Sequence, residues 1–368
     1  MNRNTILHIT SVHTRYDIRI FIKECISLQQ NGYKVSLMVA DSKGDEIKNE
    51  INIIDIGKPK GRLGRMLKTT NIMYHQIIKL NPKVIHFHDP ELMLVGLKLT
   101  KAGYKVIYDV HEDLPKQVTN KHWIPRVFRP IISKLVSQLE KKCAKQFNGI
   151  VTATPIIAER FSKYNSNVVS ICNYPKLIEL SNINVEWHNR KLDLCYIGSI
   201  SKTRGIEPLI ASLELSKLNL ELAGMFSGDV SLSSLLPQSG YEYVNYHGIL
   251  NREQIIQLLS QVKIGLVTLL PTPSYVESLP IKLFEYMLAG IPVVASNFKM
   301  WADIILRYNC GILVNPNNPQ EIANACQTLL NNPQLAKQLG GNGKSAVLEH
   351  YNWDIEQLHL ANFYKKLL

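Results

Sequence analysis

The chain has 368 residues, 45% of them hydrophobic and 20% charged, which is the composition of a globular protein long enough for two domains. The N-terminal stretch MNRNTILHIT lacks the apolar segment of a signal peptide, and no run of about 18 apolar residues occurs, so we expect a cytoplasmic protein without a spanning helix. The six cysteines form no CxxC pair, which favours reduced thiols over disulfides or a zinc–thiolate site.

The net charge of +12 is concentrated in the first half of the chain. Residues 1–172 contain 27 Lys and Arg against 14 Asp and Glu, whereas the remaining residues contain 15 and 16. A basic half can serve a nucleic acid, an anionic membrane or an acidic substrate, or it can simply keep the protein in solution.

The first half alternates short apolar runs with helical patterns. The apolar runs read as buried parallel strands, and they occupy residues 6–10, 34–40, 51–55, 83–88, 105–110 and 149–154. This alternation predicts a doubly wound α/β sheet, which we assign to an N-terminal Rossmann-like domain over residues 1–172.

The alternation stops in a polar, Asn-rich stretch, residues 173–190, which we interpret as a linker. It restarts with strands predicted at residues 192–198, 218–224, 243–248, 263–269, 291–296 and 310–314. We therefore predict two tandem Rossmann-like domains, the second over residues 191–350, and a terminal helix over residues 351–368. A ligand is expected where the carboxyl ends of the two sheets face each other across a cleft.

The stretch YIGSISKTRGIEPLIASL, residues 196–213, has the pattern of a phosphate-binding turn. A strand ends at Gly198, a loop carries Lys202 and Arg204, and a helix begins near Gly205. Free backbone N–H groups and the positive end of a helix dipole suit a phosphate at such a place. Many ordinary turns between a strand and a helix share these residues, so the pattern alone is weak.

The stretch YVESLPIKLFEYMLAG, residues 275–290, predicts a loop followed by a helix. Ser278 can cap the helix, Pro280 fits its first turn, and the helix is predicted to end near Ala289.

Two glutamates bracket the start of this predicted helix. Glu277 falls in the preceding loop and Glu285 in the helix body, with Lys282 between them. Carboxylates can bind ligand hydroxyls and a lysine can bind phosphate. The spacing alone, however, favours a capping glutamate and an exposed one.

The surrounding motifs carry a family resemblance. Glu277, seven residues and Glu285 resemble the E-x7-E motif of retaining glycosyltransferases of the GT-B fold, glycosyltransferase family four. YIGSISKTRGIEPLI upstream and CGILVNPNNPQEIANACQTLL downstream follow the order of that family. The stretches ILHITSVHTRYDIRIFIKECISLQQNGYKVSLMV and YDVHED are similar to its N-terminal domain, so the resemblance covers essentially the whole chain.

The resemblance implies a role for each matching residue. Glu285 would bind the ribose of a nucleotide sugar and Glu277 would face the donor sugar. Arg204 and Lys282 would hold the diphosphate, and His111 of YDVHED would lie near the donor sugar and the acceptor. The implied catalytic residues are therefore His111, Glu277, Arg204 and Lys282. The implied donor-binding residues are Gly198, Ser199, Lys202, Arg204, His247, Gly248, Ile249, Glu277, Ser278, Leu279, Pro280, Lys282 and Glu285.

One position departs from the family pattern. Many relatives carry a second basic residue early in the first loop, where this chain has Ser199 in a loop one residue shorter. Either Lys282 or Lys202 could supply the missing charge. Because no D-x-D motif occurs, we expect no metal to hold the diphosphate, and we expect a nucleoside-diphosphate sugar as co-substrate without any further cofactor.

The N-terminal half offers candidates for the acceptor side. The implied acceptor-side residues are His13, Arg15, Asp17, Arg19, Glu112 and Asp113. Asp17 could equally cap a helix and pair with Arg19. For His86, His88 and Asp89 in HFHDPE, packed histidines and an Asp cap before a proline are favoured over a metal site, so no metal ligand is assigned.

Two basic amphipathic stretches, residues 61–80 and 121–146, could bind an anionic membrane. Their apolar residues at helical spacing include Met66, Leu67, Met73, Ile124, Phe128, Ile131, Leu135 and Leu139. The same spacing would also suit helices that pack on a sheet.

The sequence thus predicts a retaining, metal-independent hexosyl- or N-acetylhexosaminyltransferase. We expect it to act on a lipid-linked glycan acceptor in cell-surface polysaccharide synthesis, bound peripherally to the inner face of the cytoplasmic membrane. A nucleotide-sugar epimerase of the same twin-domain fold is the alternative. A nucleic-acid-binding protein is disfavoured, because no zinc-finger spacing or ribonucleoprotein motif occurs. UDP- and GDP-linked donors both stay open.

Overall fold

The computed structural model describes residues 5–120, 124–181, 183, 185–228 and 230–368, the side chains of residues 62 and 120 excepted. Residues 121–123 of the predicted basic stretch therefore lie outside the described residues. The chain forms two units, the first made of Met1–Asn173 with Ile355–Leu368 and the second of Tyr174–Asp354.

The first unit contains an eight-stranded sheet of order β3-β4-β2-β1-β5-β6-β7-β8. Its strands are β1 (Thr5–Ile9), β2 (Lys34–Val39), β3 (Glu46–Lys48), β4 (Ile51–Asp55), β5 (Val84–Phe87), β6 (Lys105–Val110), β7 (Gly149–Thr152) and β8 (Val168–Ser170). All neighbouring strands pair in parallel except β3 with β4. The six predicted strands all form, whereas β3 and β8 were not predicted.

Helices connect these strands and enclose an apolar core around Phe87, Tyr108 and Phe161. The first helix has π geometry over Ile18–Cys25 and continues as an α-helix. The other helical segments of this unit are Ile26–Gln30, Gly61–Gly64, Arg65–Thr69, Thr70–Leu80, Pro90–Leu92, Met93–Lys101, Leu114–Asn120, Arg126–Phe128, Arg129–Ala144 and Pro155–Ser162.

The second unit contains a six-stranded, fully parallel sheet of order β11-β10-β9-β12-β13-β14. Its strands are β9 (Leu192–Ile197), β10 (Leu220–Ala223), β11 (Val244–Tyr246), β12 (Val262–Val267), β13 (Val293–Ser296) and β14 (Gly311–Val314). All six were predicted. The chain order reverses between β9 and β12, which is the topological switch point where doubly wound sheets bind ligands.

The helices of the second unit range from single turns to the 17-residue Pro333–Glu349 helix near the end of the unit. They are Leu177–Leu180, Trp187–Asn189, Lys202–Arg204, Ile206–Ser216, Leu232–Leu235, Tyr241–Tyr243, Arg252–Gln261, Ile281–Leu288, Lys299–Tyr308, Pro319–Asn331 and Pro333–Glu349.

The predicted linker is not a loose tether in its described part. Trp187 belongs to the apolar core of the second unit. The buried Arg190 donates hydrogen bonds to the carbonyl oxygens of Leu259, Val262 and Ala289 at 2.7 to 2.8 Å. The sequence predicted a linker because the stretch shows no hydrophobic period. Isolated buried residues such as Trp187 and Arg190 produce no such period.

The terminal helix, Trp353–Leu367, packs with the first unit from Ile355 onward. The Glu356 carboxylate accepts a 2.8 Å hydrogen bond from the Cys172 N–H. The Tyr364 hydroxyl lies 2.8 Å from His86 Nδ1. Among the helices of the described residues, none combines the length and the apolar character needed to cross a bilayer.

Candidate donor site and histidine network

The loops that follow β9 and β12 carry most of the predicted donor residues. β9 ends at Ile197, and the phosphate-type loop starts at Gly198. β12 ends at Val267 and leads to the loop that contains Glu277. Because these strands flank the switch point, their carboxyl ends bring the two loops together.

A cationic cradle, defined here as Gly198, Arg204 and Lys282, forms where these loops meet. A Cβ atom placed on Gly198 would lie 3.5 Å from Lys282 Nζ and 4.0 Å from Arg204 Nη1. Gly198 has φ +131°, which L-residues rarely adopt, so the backbone conformation favours glycine here. Two cationic side chains therefore converge on backbone that carries no side chain.

Lys282 is the least satisfied group of the cradle. Its side chain is 95% buried, and its Nζ has no hydrogen-bond partner among the described residues. The nitrogen lies 3.4 Å from the centroid of the Tyr196 ring. Burial, and then the nearby Arg204 charge, lower the pKa of Lys282 well below its usual value. An anion bound at the cradle would offset both the burial of the Lys282 ammonium and its repulsion by Arg204.

The alternative basic residue, Lys202, lies elsewhere. It is exposed, and its Nζ lies 3.4 Å from the Glu207 carboxylate. Ser199, which takes the place of the usual early basic residue, pairs its hydroxyl with Ser227 at 2.6 Å. The geometry therefore favours Lys282 over Lys202 as the second charge.

Gly205 allows the phosphate-type loop to lie close to the chain after β12. It has φ +76°, and a Cβ atom at this position would stand 1.9 Å from the Thr268 carbonyl oxygen. Leu270 N–H donates to the Thr203 carbonyl at 3.0 Å and fixes the same approach. The Ile206–Ser216 helix starts directly after Gly205, as predicted.

The Ile281–Leu288 helix starts later than the sequence indicated. Pro280 is its N-cap residue, without a side-chain cap. The Ser278 hydroxyl donates instead to the Tyr275 carbonyl at 3.0 Å, so the predicted Ser278 cap is wrong. Proline has no N–H, so the free amides of the first turn belong to Ile281 and Lys282. Trp301 Nε1 donates to the Ser278 carbonyl at 2.6 Å and holds the loop.

Glu285 is not the exposed charge that its spacing alone favours. Its residue exposure is only 9%, and one carboxylate oxygen accepts a 2.6 Å hydrogen bond from Arg252. Arg252 also contacts Glu179 at 2.5 Å. Glu277 is half-buried in the turn before the helix. A partly shielded carboxylate that is already oriented by an arginine suits the binding of ribose hydroxyls better than a solvated face would.

The residues implied to lie beside the base follow β11. His247 Nε2 lies 2.5 Å from the Glu221 carboxylate, and Asn245 donates to the same carboxylate at 2.9 Å. Gly248 has φ +68° with open space around it, and Ile249 is largely exposed. Leu279 is half-buried beside Pro280.

In the first unit, His111 belongs to a buried hydrogen-bond network. His111 Nε2 and His88 Nδ1 each lie 3.0 Å from Asp109 Oδ2. Arg19 donates to both oxygens of Asp109 at 3.0 and 2.9 Å. Burial alone would raise the pKa of Asp109. The charges of Arg19 and His111 outweigh burial and lower this pKa well below its usual value. Asp109 therefore orients His111, which stays partly exposed.

The side chains of Asp17 and Arg19 do not form the salt bridge that was the alternative interpretation of the sequence. Asp17 caps the first helix and accepts from the N–H groups of Arg19 and Ile20 at 2.9 and 3.0 Å. The guanidinium of Arg19 instead binds Asp109 and the Ile171 carbonyl. His13 Nδ1 lies 3.1 Å from Asp17 and remains partly exposed.

Two more acceptor-side candidates are engaged within the unit. Arg15 is buried and binds both oxygens of Asp41 at 2.8 and 2.7 Å, so it holds the loop after β2. Asp113 accepts from the Lys116 N–H at 3.1 Å at the start of the Leu114–Asn120 helix and lies 3.3 Å from Arg160. Arg15 and Arg19 are thus engaged inside the unit, whereas His13 is partly exposed and the exposed Glu112 accepts a hydrogen bond from the Gln117 side chain.

Asp89 is not the predicted helix cap. It makes no side-chain cap bond to the Pro90–Leu92 helix and instead accepts from the Thr10 hydroxyl at 2.8 Å and the Ser11 N–H at 2.6 Å. His86 and His88 are both buried, as expected for packed histidines.

Several neighbours of these sites were missed from the sequence. They are His8, Glu24, Asp109, Tyr196, Glu221 and Arg252. The position of Asp109 in YDVHED, two residues before His111 on a strand, could have placed both on one face. Arg252 carries no comparable signal, because it lies 33 residues from Glu285 in the chain.

Comparison with known families assigns both units. The description "Glycosyltransferase Family 4" matches residues 22–173, and "Glycosyl transferases group 1" matches residues 181–346. The two matches follow each other and leave only short segments outside.

Curated relatives agree with this assignment. An uncharacterised glycosyltransferase of Methanocaldococcus jannaschii is 30% identical over 47% of this chain and 44% of its own length, so the chain spans less than half of it. The MMP alpha-(1->4)-mannosyltransferase of Mycolicibacterium hassiacum is 21% identical over 76% of this chain and 70% of its own. The O-antigen chain mannosyltransferase C of Escherichia coli is 21% identical over 79% of this chain and 77% of its own.

Solved structures share the whole architecture. Sucrose-phosphate synthase from Thermosynechococcus elongatus superposes with a TM-score of 0.76 at 18% identity, covering 99% of each chain. Anabaena HepE in complex with UDP and glucose gives a TM-score of 0.74 at 14% identity, covering 99% of this chain and 100% of its own. The chain therefore belongs to the GT-B glycosyltransferases, with a family 4 N-terminal domain and a group 1 C-terminal domain.

Proposed function

We propose that the chain is a retaining glycosyltransferase that moves a sugar from a nucleoside-diphosphate sugar to a hydroxyl of a lipid-linked glycan. One observation carries the donor half of this proposal. Lys282 Nζ is buried and unpartnered among the described residues, and it stands beside Arg204 over the bare backbone of Gly198. A diphosphate supplies the negative charge that these two cations lack.

The cradle also explains how the bond to the leaving group is broken. Transfer builds negative charge on the departing diphosphate and positive charge on the anomeric carbon. Arg204, Lys282 and the first amides of the Ile281–Leu288 helix are fixed before the reaction, so they stabilise that charge without reorganisation. These groups take the role that a divalent cation has elsewhere, so we propose that transfer needs no metal at the diphosphate.

Glu285, Glu277 and His111 complete the proposed roles. Glu285, held by Arg252, binds the ribose, and His247 with Gly248 lies beside the base. Glu277 and His111 position the donor sugar and the acceptor. In the retaining course, the acceptor hydroxyl attacks from the face that the diphosphate leaves, and its proton passes to the departing phosphate oxygen.

The choice of acceptor rests on relatives and on an exposed apolar surface. The O-antigen chain mannosyltransferase C is named for a polysaccharide chain. In this chain, Phe128, Ile131 and Leu135 are 53%, 57% and 60% exposed along one stretch of helix. The buried residues of the Arg129–Ala144 helix are instead Glu140, Cys143 and Ala144.

The surface around these residues is basic. Arg126 and Lys134 are exposed on the same stretch, while Leu63, Met66 and Leu67 are exposed in the Gly61–Thr69 region. Exposed apolar side chains flanked by cations suit the surface of an anionic membrane. Ile124 and Met73, which were grouped with them in the sequence, are buried core residues and take no part.

The experiment is a turnover assay with a panel of UDP- and GDP-sugars and a lipid-diphosphate glycan acceptor. One donor is expected to release nucleoside diphosphate in step with product, and NMR of the product is expected to show the donor's anomeric configuration. Added Mg²⁺ or Mn²⁺ should change the rate less than about twofold, because Arg204 and Lys282 already hold the charge. Conversion of the donor sugar without an acceptor would instead indicate an epimerase.

A further inference from the structure

Four titratable side chains of the first unit form a buried cluster that the proposed transfer does not use. His8 lies in β1 directly opposite His86 of β5, His88 follows β5, and Glu24 comes from the Ile18–Cys25 helix. All four are buried, and each offers one ligand atom within 4.8 Å of the others. The cluster is named the histidine–glutamate cluster below.

The polar atoms of this cluster are poorly satisfied by the protein. His86 Nε2 and Glu24 Oε2 are buried without a hydrogen-bond partner among the described residues, whereas Glu24 Oε1 lies 3.1 Å from Arg19 Nε. Buried polar groups normally have partners, and unpaired ones cost free energy. An unpaired ring nitrogen and an unpaired carboxylate oxygen in one buried cluster call for a common partner that the described residues do not provide.

The hydrogen-bond partners of His86 Nδ1 and His88 Nδ1 are of the kind that orient metal-binding histidines. His86 Nδ1 contacts the Tyr364 hydroxyl at 2.8 Å, so its Nε2 faces the cluster. His88 Nδ1 lies 3.0 Å from the Asp109 carboxylate, so its Nε2 faces His8 at 2.9 Å. A hydrogen-bonded hydroxyl or carboxylate behind each ring fixes the tautomer and turns the second nitrogen toward a metal.

The charges of the cluster are compatible with a cation. Burial lowers the pKa values of His8, His86 and His88, which keeps the imidazoles in the neutral form that binds metals. Asp109 is already paired with Arg19, whose Nε also lies 3.1 Å from Glu24. Burial and the nearby Asp109 raise the pKa of Glu24, and a bound cation would oppose that rise.

We propose that His8, Glu24, His86 and His88 form a closed binding site for a divalent transition metal, with Zn²⁺ as the probe. Three imidazoles and one carboxylate suit Zn²⁺, whereas Mg²⁺ and Ca²⁺ prefer oxygen ligands. The metal replaces the His8–His88 hydrogen bond. With all four ligands from the protein and no exposed position, the site is structural.

A metal at this site would cross-link segments of the first unit that are far apart in the sequence. The ligands join β1, the chain after β5 and the first helix, and Tyr364 adds the terminal helix through His86. The metal thereby stabilises the first unit, whereas the diphosphate cradle belongs to the second. His88 does reach His111 through Asp109, so the test below measures metal binding and melting temperature and not transferase activity.

The test measures metal content and melting temperature of the full chain without an affinity tag. Protein is incubated with Zn²⁺, separated by gel filtration and analysed by mass spectrometry of the elements. About one Zn²⁺ per chain is expected. His86→Gln and Glu24→Gln should hold at least about tenfold less at buffered free Zn²⁺, as expected when one of four ligands is lost. His75→Gln, which changes an exposed histidine of the Thr70–Leu80 helix, should hold as much as the parent.

A second measurement keeps the proposal testable if the variants fail to fold. A chelator should lower the melting temperature of the parent chain, and Zn²⁺ should restore it. The proposal is overturned if the parent retains no stoichiometric metal and melts at the same temperature with Zn²⁺ and with chelator, which would leave a water as the occupant. It is equally overturned if folded His86→Gln and Glu24→Gln retain the metal.

Discussion

Lys282 and Glu285 are separated by one turn of the same helix, yet they depend on different partners. Glu285 already has Arg252 at 2.6 Å, whereas Lys282 Nζ has no hydrogen-bond partner among the described residues. A carboxylate that is oriented before binding loses little freedom when it accepts ribose hydroxyls. A buried ammonium without a partner, in contrast, gains most when an anion arrives. The two residues therefore lead to different predictions.

Replacing Glu285 by Gln should weaken donor binding without abolishing the fold. The substitution removes the charge that strengthens hydrogen bonds to the ribose, which is worth about 1.5 to 3 kcal/mol. We expect the donor KM to rise roughly 10- to 100-fold in steady-state kinetics. Glu207→Gln is the control, because Glu207 pairs with exposed Lys202. An unchanged donor KM in Glu285→Gln would remove Glu285 from the site.

Lys282 should make donor binding depend on pH. Burial and Arg204 lower its pKa in the free protein, and a bound diphosphate raises it again, so the bound state holds more protons. Donor affinity is therefore greatest below the pKa of the free protein and falls as pH rises through it. Calorimetric titrations from about pH 7 upward, where the diphosphate is fully ionised, measure this slope. Lys282→Met should remove the slope, and Lys202→Met should keep it.

At the scale of elements, the sequence predicted strands better than side-chain partners. Buried parallel strands are continuous apolar runs, so β9 and β12 could be placed and the switch point located. β3 was missed because it is a short, polar edge strand with the sequence Glu-Ile-Lys. The Arg19–Asp109 pair joins residues 90 apart, and no local pattern encodes such a contact. Motif order indicated Glu285 and Arg204 and favoured Lys282 as the second cation, but the burial of Lys282 and the exposure of Lys202 could be seen only in the structure.

The Arg126–Phe128 and Arg129–Ala144 helices should bind an anionic membrane. Replacing Phe128, Ile131 and Leu135 together by Ser removes apolar groups that each gain about 1.5 to 3 kcal/mol when buried. In flotation with vesicles that contain anionic lipid at low salt, binding should fall at least about tenfold. Leu358→Ser is the control, since Leu358 is 59% exposed on the terminal helix. Equal flotation of the triple variant and the parent chain would contradict the membrane proposal.

At the scale of the whole molecule, charge and chemistry are divided between the two halves of the chain. The basic excess lies in residues 1–172, yet the groups that suit an anionic donor lie in the second unit, where acidic and basic residues nearly balance. In the proposed site, donor binding depends on two local cations over Gly198 rather than on the net charge of the domain. The basic first half is left for an acceptor or a membrane surface.

The most direct test is calorimetric binding of nucleotide sugars to the parent chain, Lys282→Met and Lys202→Met. One UDP- or GDP-sugar should bind the parent, Lys202→Met should bind it within about twofold, and Lys282→Met should bind it at least about tenfold more weakly, as expected for a lost charge-assisted hydrogen bond. If no nucleotide sugar binds the parent, or if Lys282→Met binds as tightly as the parent, the cradle of Gly198, Arg204 and Lys282 is not the diphosphate site.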